Sequence, residues 1–211
     1  AQRLVERLVA GDDLALITDA GSPAISDPGE KLVAEAVAAH VQVVPIPGAT
    51  ALVAALSASG LPTGRFHFLG FLPRTTSEAR AMLDEVSGLT ASLVLSESPK
   101  RVGETLALLH EVLGPRRSCV ARELTKLHEE FVRDTLDVLA MRYAEAEVLG
   151  EVVIVVEGRT GDTRWSEAEV RDALANGLAR GERLKALASE VAKRGGWSSQ
   201  DVYRLGLSLK A

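Results

Sequence analysis

Only one cysteine occurs among the 211 residues, so no internal disulfide can form, and the composition fits a reducing cytosol. Cys119 lies in the apolar run Ser118-Cys-Val-Ala121, which marks a packing thiol rather than a nucleophile. No apolar run approaches the roughly 20 residues of a membrane span. Positive charge is not in excess either. The formal net charge is −5, which argues against non-specific nucleic-acid binding over the whole surface. A local basic face remains open, because Arg65, Arg74, Arg80, Lys100, Arg101, Arg116, Arg117, Arg122 and Lys126 all precede residue 127; the alternative is ordinary solvated charge. Several chemistries lack their motifs. There is no phosphate loop, no dinucleotide fingerprint and no Gly-x-Ser-x-Gly elbow. His40, His67, His110 and His128 show no metal-ligand spacing, so no metal is expected.

What is present is an alternation of short apolar runs and helical patterns, with 46% hydrophobic residues, the mark of an α/β protein with a sizeable core. Strands are expected at 14–18, 41–45, 66–71, 92–96, 117–121, 130–133 and 151–156. Val152-Val-Ile-Val-Val156 is apolar throughout, as a strand buried on both faces would be. Helices are expected at 29–39, 50–58, 76–87, 100–113 and 135–144, with Leu106, Leu109 and Leu113 on one core face. The expected architecture is two α/β domains, residues 1–62 and 63–158, with a ligand cleft between them. A small C-terminal helical module, 159–211, follows a linker at 159–164. Its helices are expected at 166–179, 183–193 and 199–209. Ser166 and Glu169 form a capping box, and Ser198 or Ser199 is an N-cap. The last two helices are spaced like a helix-turn-helix, but an accessory tail for RNA or subunit contact is the favoured reading.

The most informative segment is Asp19-Ala-Gly-Ser-Pro-Ala-Ile-Ser-Asp-Pro-Gly29, between an apolar run and a helical pattern, where α/β proteins bind ligands. Two glycines and two prolines set an unusual path, and small residues allow a ligand close to the main chain. It contains no Lys or Arg, which suits a neutral or cationic organic ligand better than a triphosphate.

This segment resembles the S-adenosylmethionine-binding loop of the tetrapyrrole-methylase superfamily. Four further segments match in order: Val44-Pro-Ile-Pro-Gly-Ala-Thr-Ala51 with Leu56-Ser-Ala-Ser-Gly-Leu-Pro62, Phe68-Leu-Gly-Phe-Leu-Pro-Arg74, Glu97-Ser-Pro-Lys-Arg101, and Ala121-Arg-Glu-Leu-Thr-Lys-Leu-His-Glu-Glu130 with Gly150-Glu-Val-Val-Ile-Val-Val-Glu157. More narrowly, they resemble the branch that methylates a ribose 2′-hydroxyl in small-subunit ribosomal RNA. Members of that branch have two strands and two loops before the position of residue 1, so the chain is read as N-terminally truncated.

The resemblance implies S-adenosylmethionine as donor, a cytidine of the small-subunit RNA within the 30S subunit as acceptor, a homodimer and a cytoplasmic location. It places Asp19, Ala20, Gly21, Ser22, Ile25, Ser26 and Asp27 around the donor, with Pro47 and Gly48 as a cleft wall and Phe71-Leu72 and the Gly150 strand on the adenine side. A ribose hydroxyl is a weak nucleophile, so a base or a nearby cation should help it. Glu97, Lys100, Glu123 and Lys126 are the catalytic candidates; for each, the alternative is a structural ion pair with a neighbouring Arg. Arg101 and Arg122 suit phosphate binding, where a planar fork helps. The rival readings are methylation of a small tetrapyrrole and a non-catalytic module whose C-terminal helices bind nucleic acid or a partner.

Overall fold

The computed structural model describes residues 1–19, 21–26, 28–160 and 165–209. Its contacts divide into two compact units, Ala1–Arg159 and Thr160–Ala211. In the first unit, three helices come before any strand: α1 (Gln2–Val9), α2 (Glu30–Ala38) and α3 (Ala51–Ala58). Then follow β1 (Phe66–Phe71), α4 (Thr76–Val86), β2 (Ser92–Glu97), a 3-10 turn at Pro99–Arg101, α5 (Val102–Leu113), β3 (Arg117–Arg122), β4 (Glu130–Thr135), α6 (Leu136–Tyr143) and β5 (Val152–Val156). The strands form one sheet in the order β1-β2-β5-β3-β4.

The expected strands at 14–18 and 41–45 do not form. Both segments have β-branched composition, but a strand also needs a neighbour to complete its hydrogen-bond ladder. No described strand pairs with either one, and Ile17 and Val44 are left 86% and 63% exposed. The five later strands do form, within two residues of the expected ends. β5 occupies the centre of the sheet and every residue of it is buried, which accounts for its unbroken apolar sequence.

Alternation along the strands sends side chains to two cores. One face carries Leu93, Leu95, Val120, Val132, Val152 and Ile154 beneath α5 and α6. Helix α5 offers it Val102, Leu106, Leu109 and Leu113, spaced as the sequence pattern required. A Cβ at Gly103 would stand 2.4 Å from the Tyr143 carbonyl oxygen, so glycine permits the close crossing of α5 and α6. The other face carries Val94, Cys119, Ala121, Val153 and Val155 beneath α3. Burial pushes the Cys119 thiol up, consistent with an inert packing role. Arg133 fastens α3 to this face, donating from Nε to Ser59 O (3.1 Å) and from Nη2 to Ala58 O (2.6 Å) at the helix's carboxyl end.

The second unit holds α7 (Glu167–Ala179), α8 (Leu184–Gly195) and α9 (Ser199–Ser208) around a core of Val170, Leu174, Leu187, Val191 and Val202. Most of the expected linker, 161–164, lies outside the described residues. The capping box is present: Glu169 N–H donates to Ser166 Oγ (3.2 Å) and Ser166 N–H to Glu169 Oε2 (2.8 Å). Ser198, rather than Ser199, caps α9. Replacing Ser166 by Ala is expected to cost about 1 kcal/mol. Denaturant titration followed by fluorescence checks this, because both tryptophans, Trp165 and Trp197, belong to this unit.

Candidate active site

Strand directions gather the predicted residues at one edge of the sheet. β1, β2 and β3 end there, while β4 and β5 begin there. Glu97 pairs with Val152, Val152 with Arg122, and Arg122 with Glu130, so all four stand in one cross-strand row. Paired residues share a face, which here is the face beneath α5 and α6. Two strand spacings separate the Glu97 and Arg122 backbones, roughly 10 Å.

Glu97 is 2% exposed. Its Oε1 accepts from Ser98 N–H (2.7 Å) and Ser98 Oγ (3.3 Å), and its Oε2 from Thr105 Oγ1 (2.7 Å). Arg101 Nη1 stands 3.7 Å from Oε1. The carboxyl therefore ties the end of β2 to the first turn of α5. Arg101 donates to the carbonyls of Leu72 (3.1 Å) and Pro73 (2.9 Å), linking the same turn to the chain leaving β1. Between them Lys100 is exposed and forms no ion pair among the described residues. Buried Glu97 is thus the anchor of a turn that displays Lys100.

Glu123 and Lys126 lie at the same edge, just past β3. Lys126 Nζ is 2.9 Å from Glu123 Oε1 and 3.3 Å from Glu151 Oε2. The hydrogen bond from Lys126 holds the Glu123 carboxyl below the usual carboxylate range, and the same bond holds the Lys126 ammonium above its ordinary value. Both are charged at neutral pH. Arg122 donates from Nε to Glu130 Oε2 (3.1 Å) and from Nη1 to Leu149 O (3.3 Å). It opens onto a groove of about 350 Å³ that is also lined by Arg142, Tyr143 and Val148.

The glycine-rich segment turns sharply. Gly21, Ala24, Ser26 and Gly29 have φ of 70°, 67°, 55° and 134°. Ala20 and Asp27 lie outside the described residues. Asp19 and Ile25 are exposed, Ser22 is half-buried, and Asp19 makes no hydrogen bond or ion pair among the described residues. A Cβ added at Gly70, near the end of β1, would be 3.7 Å from Ser26 Oγ. The segment therefore meets the same sheet edge as Glu97 and Arg122. Pro47 and Gly48 are exposed, and a Cβ at Gly21 or Gly48 would meet nothing within 4 Å. Small walls, open space and an unpaired carboxylate fit a cationic organic ligand.

A family model described as Tetrapyrrole (Corrin/Porphyrin) Methylases matches residues 1–140. The chain belongs to this family.

Among relatives, Ribosomal RNA small subunit methyltransferase I of Halalkalibacterium halodurans is 40% identical over 209 residues, covering 97% of this chain and 72% of that protein. The protein of the same name from Synechocystis is 41% identical over 213 residues, covering 100% and 76%. Solved structures share the fold. Diphthine synthase superimposes with a TM-score of 0.58 at 19% identity, covering 75% of this chain and 64% of that one. The methyltransferase CobJ does so with 0.55 at 21%, covering 76% and 72%. This member of the family is accordingly a methyltransferase.

Three pairings at the site went unread in the sequence. Thr105 and Ser98 are the partners of Glu97, and Gly150 with Glu151 is the partner of Glu123. Thr105 had a signal, as a hydroxyl at a core position of an otherwise apolar helix face. Glu151 had none, because 28 residues separate it from Glu123.

Proposed function

We propose that this methylase transfers a methyl group from S-adenosylmethionine to the ribose 2′-hydroxyl of a cytidine in small-subunit (16S) ribosomal RNA. The observation that carries the reading is 40% identity, over nearly the whole chain, to a protein named for that RNA class. In this reading residues 1–62 and 63–158 form the two walls of the donor cleft, and residues 159–211 an accessory helical module. The enzyme acts as a homodimer in the cytoplasm on the 30S subunit. No helix among the described residues is long and apolar enough to cross a membrane.

The donor supplies an activated methyl carbon and its own leaving group, so the protein's task is alignment, which can contribute on the order of 7–11 kcal/mol in favourable cases. Asp19, Ala20, Gly21, Ser22, Ile25, Ser26 and Asp27 hold the donor, with Pro47 and Gly48 walling it. Lys100 and Lys126 face the acceptor as cations. Glu97 anchors the turn bearing Lys100, and Glu123 pairs with Lys126. Arg122 and the groove beside it receive the RNA, and Arg101 braces the turn that meets it.

Calorimetric titration with S-adenosylhomocysteine, and methyl transfer to 30S subunits, test this. Wild type is expected to bind at one site, and Asp19→Ala to bind at least tenfold more weakly, about 1.4 kcal/mol. Equal binding by the variant would remove Asp19 from the site. Methylation of a porphyrinogen but not of 30S subunits would replace the RNA reading with the small-tetrapyrrole one.

A further inference from the structure

We propose that Glu123, seated against Gly150, is the positioning residue that fixes the loop 123–129 and presents Lys126 to an anionic oxygen of the RNA. The inference rests on the RNA-methyltransferase reading for its substrate and on the geometry of the loop for everything else.

The loop has an uncommon backbone. Glu123 and Thr125 have φ of 50° and 66°. Left-handed conformations are rare without glycine, and rarer still for a β-branched residue. They persist only where the surroundings over-determine them, and they concentrate at functional sites. Here the surroundings do so. Glu123 N–H donates to Glu151 O (3.0 Å), while Glu151 N–H donates to Glu123 Oε1 (3.0 Å). Lys126 N–H donates to Glu123 O (3.0 Å), Thr125 N–H to Glu129 Oε2 (2.8 Å), and Glu129 N–H to Lys126 O (3.2 Å). Below, Leu124 packs against the core beneath α3.

Gly150 makes the seat. Its φ is 85°, and a Cβ there would fall 2.2 Å from Glu123 Oε1 and 2.3 Å from its Cδ. Any side chain at 150 would push the carboxylate out. So one carboxylate, admitted by one glycine, joins the start of β5 to the loop after β3.

The product of this arrangement is the placement of Lys126. An ammonium has three N–H donors. One goes to Glu123 (2.9 Å), the Glu151 carboxylate stands 3.3 Å away as an ion-pair partner, and a third is left for an incoming oxygen. The side chain is 46% exposed, so that donor is accessible. Next to it, Leu127 is 92% exposed at the loop's tip. Lys126 is charged in this setting and acts as a cation, not as a base. Its target is either a phosphate oxygen or the ribose oxygen as it loses its proton.

Four variants test the assignment: Glu123→Gln, Gly150→Ala, Lys126→Gln and the double variant of Glu123 and Lys126. The readouts are amide hydrogen exchange at Thr125, Lys126 and Glu129, S-adenosylhomocysteine affinity, and kcat and KM for methyl transfer to 30S subunits. Glu123→Gln and Gly150→Ala are expected to speed exchange at these amides at least tenfold and to lower kcat/KM at least tenfold. Donor affinity should stay within twofold in Glu123→Gln and Lys126→Gln, neither of which lies in the donor loop. The double variant should be no slower than Lys126→Gln, since Glu123 acts through Lys126. Losses confined to KM assign the third donor to a phosphate, and losses in kcat to the ribose oxygen.

Unchanged exchange in both Glu123→Gln and Gly150→Ala would overturn the proposal. So would an additive loss in the double variant, or a wild-type pH profile whose acid limb disappears in Glu123→Gln, because that limb would be the protonation of Glu123 acting as a base. If wild type moves no methyl to 30S subunits, the substrate reading fails separately. The exchange experiment still decides whether Glu123 and Gly150 hold the loop.

Discussion

Ile154→Ala is expected to destabilise the first unit by about 2–5 kcal/mol. Ile154 is fully buried, in the central strand of the sheet, paired with Leu95 on one side and Val120 on the other. Its side chain belongs to the core beneath α5 and α6, among Leu106, Leu109, Leu136 and Leu139, all of them fully buried. Truncation removes apolar contact and leaves a cavity. Strands on both sides and helices above hold the cavity open, so little of the loss can be recovered by collapse. Urea denaturation followed by far-ultraviolet circular dichroism measures the change. Tryptophan fluorescence would miss it, because Trp165 and Trp197 report on the other unit. A loss below about 1 kcal/mol would mean that the sheet centre repacks freely, against the packing described.

The second large effect is at Glu97, and it separates two roles for that carboxyl. Glu97→Ala is expected to cost about 1–3 kcal/mol and to reduce methyl transfer at least tenfold. Without the carboxyl, the Ser98 amide and the Thr105 hydroxyl lose their acceptor inside the protein, and Arg101 keeps only the Leu72 and Pro73 carbonyls. The turn that carries Lys100 then loses its anchor. Glu97→Gln is expected to behave differently. Its amide oxygen can still accept from Ser98 N–H, and its NH₂ can donate to the Thr105 hydroxyl, which accepts as well as donates. Most activity should survive in Gln. Loss of activity in Gln equal to that in Ala, with normal stability, would show that Glu97 takes a proton and does not merely anchor the turn.

Much of the site was legible because its parts are local. The strand-to-turn transitions at Glu97-Ser-Pro and Arg122-Glu-Leu could be read from hydrophobic runs ending at polar residues. The β-rich run at 152–156 announced its own burial. Capping of α7 was readable for the same reason, since Ser166 and Glu169 are three residues apart and need no other part of the chain. The two failed strands show the limit of this reasoning. Leu14–Thr18 and Val41–Pro45 satisfy every local criterion for β structure, yet a ladder is a property of two segments, and none of the described strands lies against them.

By itself, then, the sequence determined the helices from residue 29 onward, the candidate strands, the buried thiol and the family, because periodicity, capping and motif order are encoded in neighbouring residues, while pairing selected five strands of the seven. Only the tertiary structure decided what the charged candidates touch. Glu97 turned out to be sunk against Thr105, and Arg101 to be committed to two carbonyls 28 and 29 residues away. Glu123 was found wedged beside Gly150, with Lys126 shared between it and Glu151. Such pairings depend on which strands become neighbours. Here antiparallel pairing brings the start of β5 against the end of β3, and no local signal specifies that meeting.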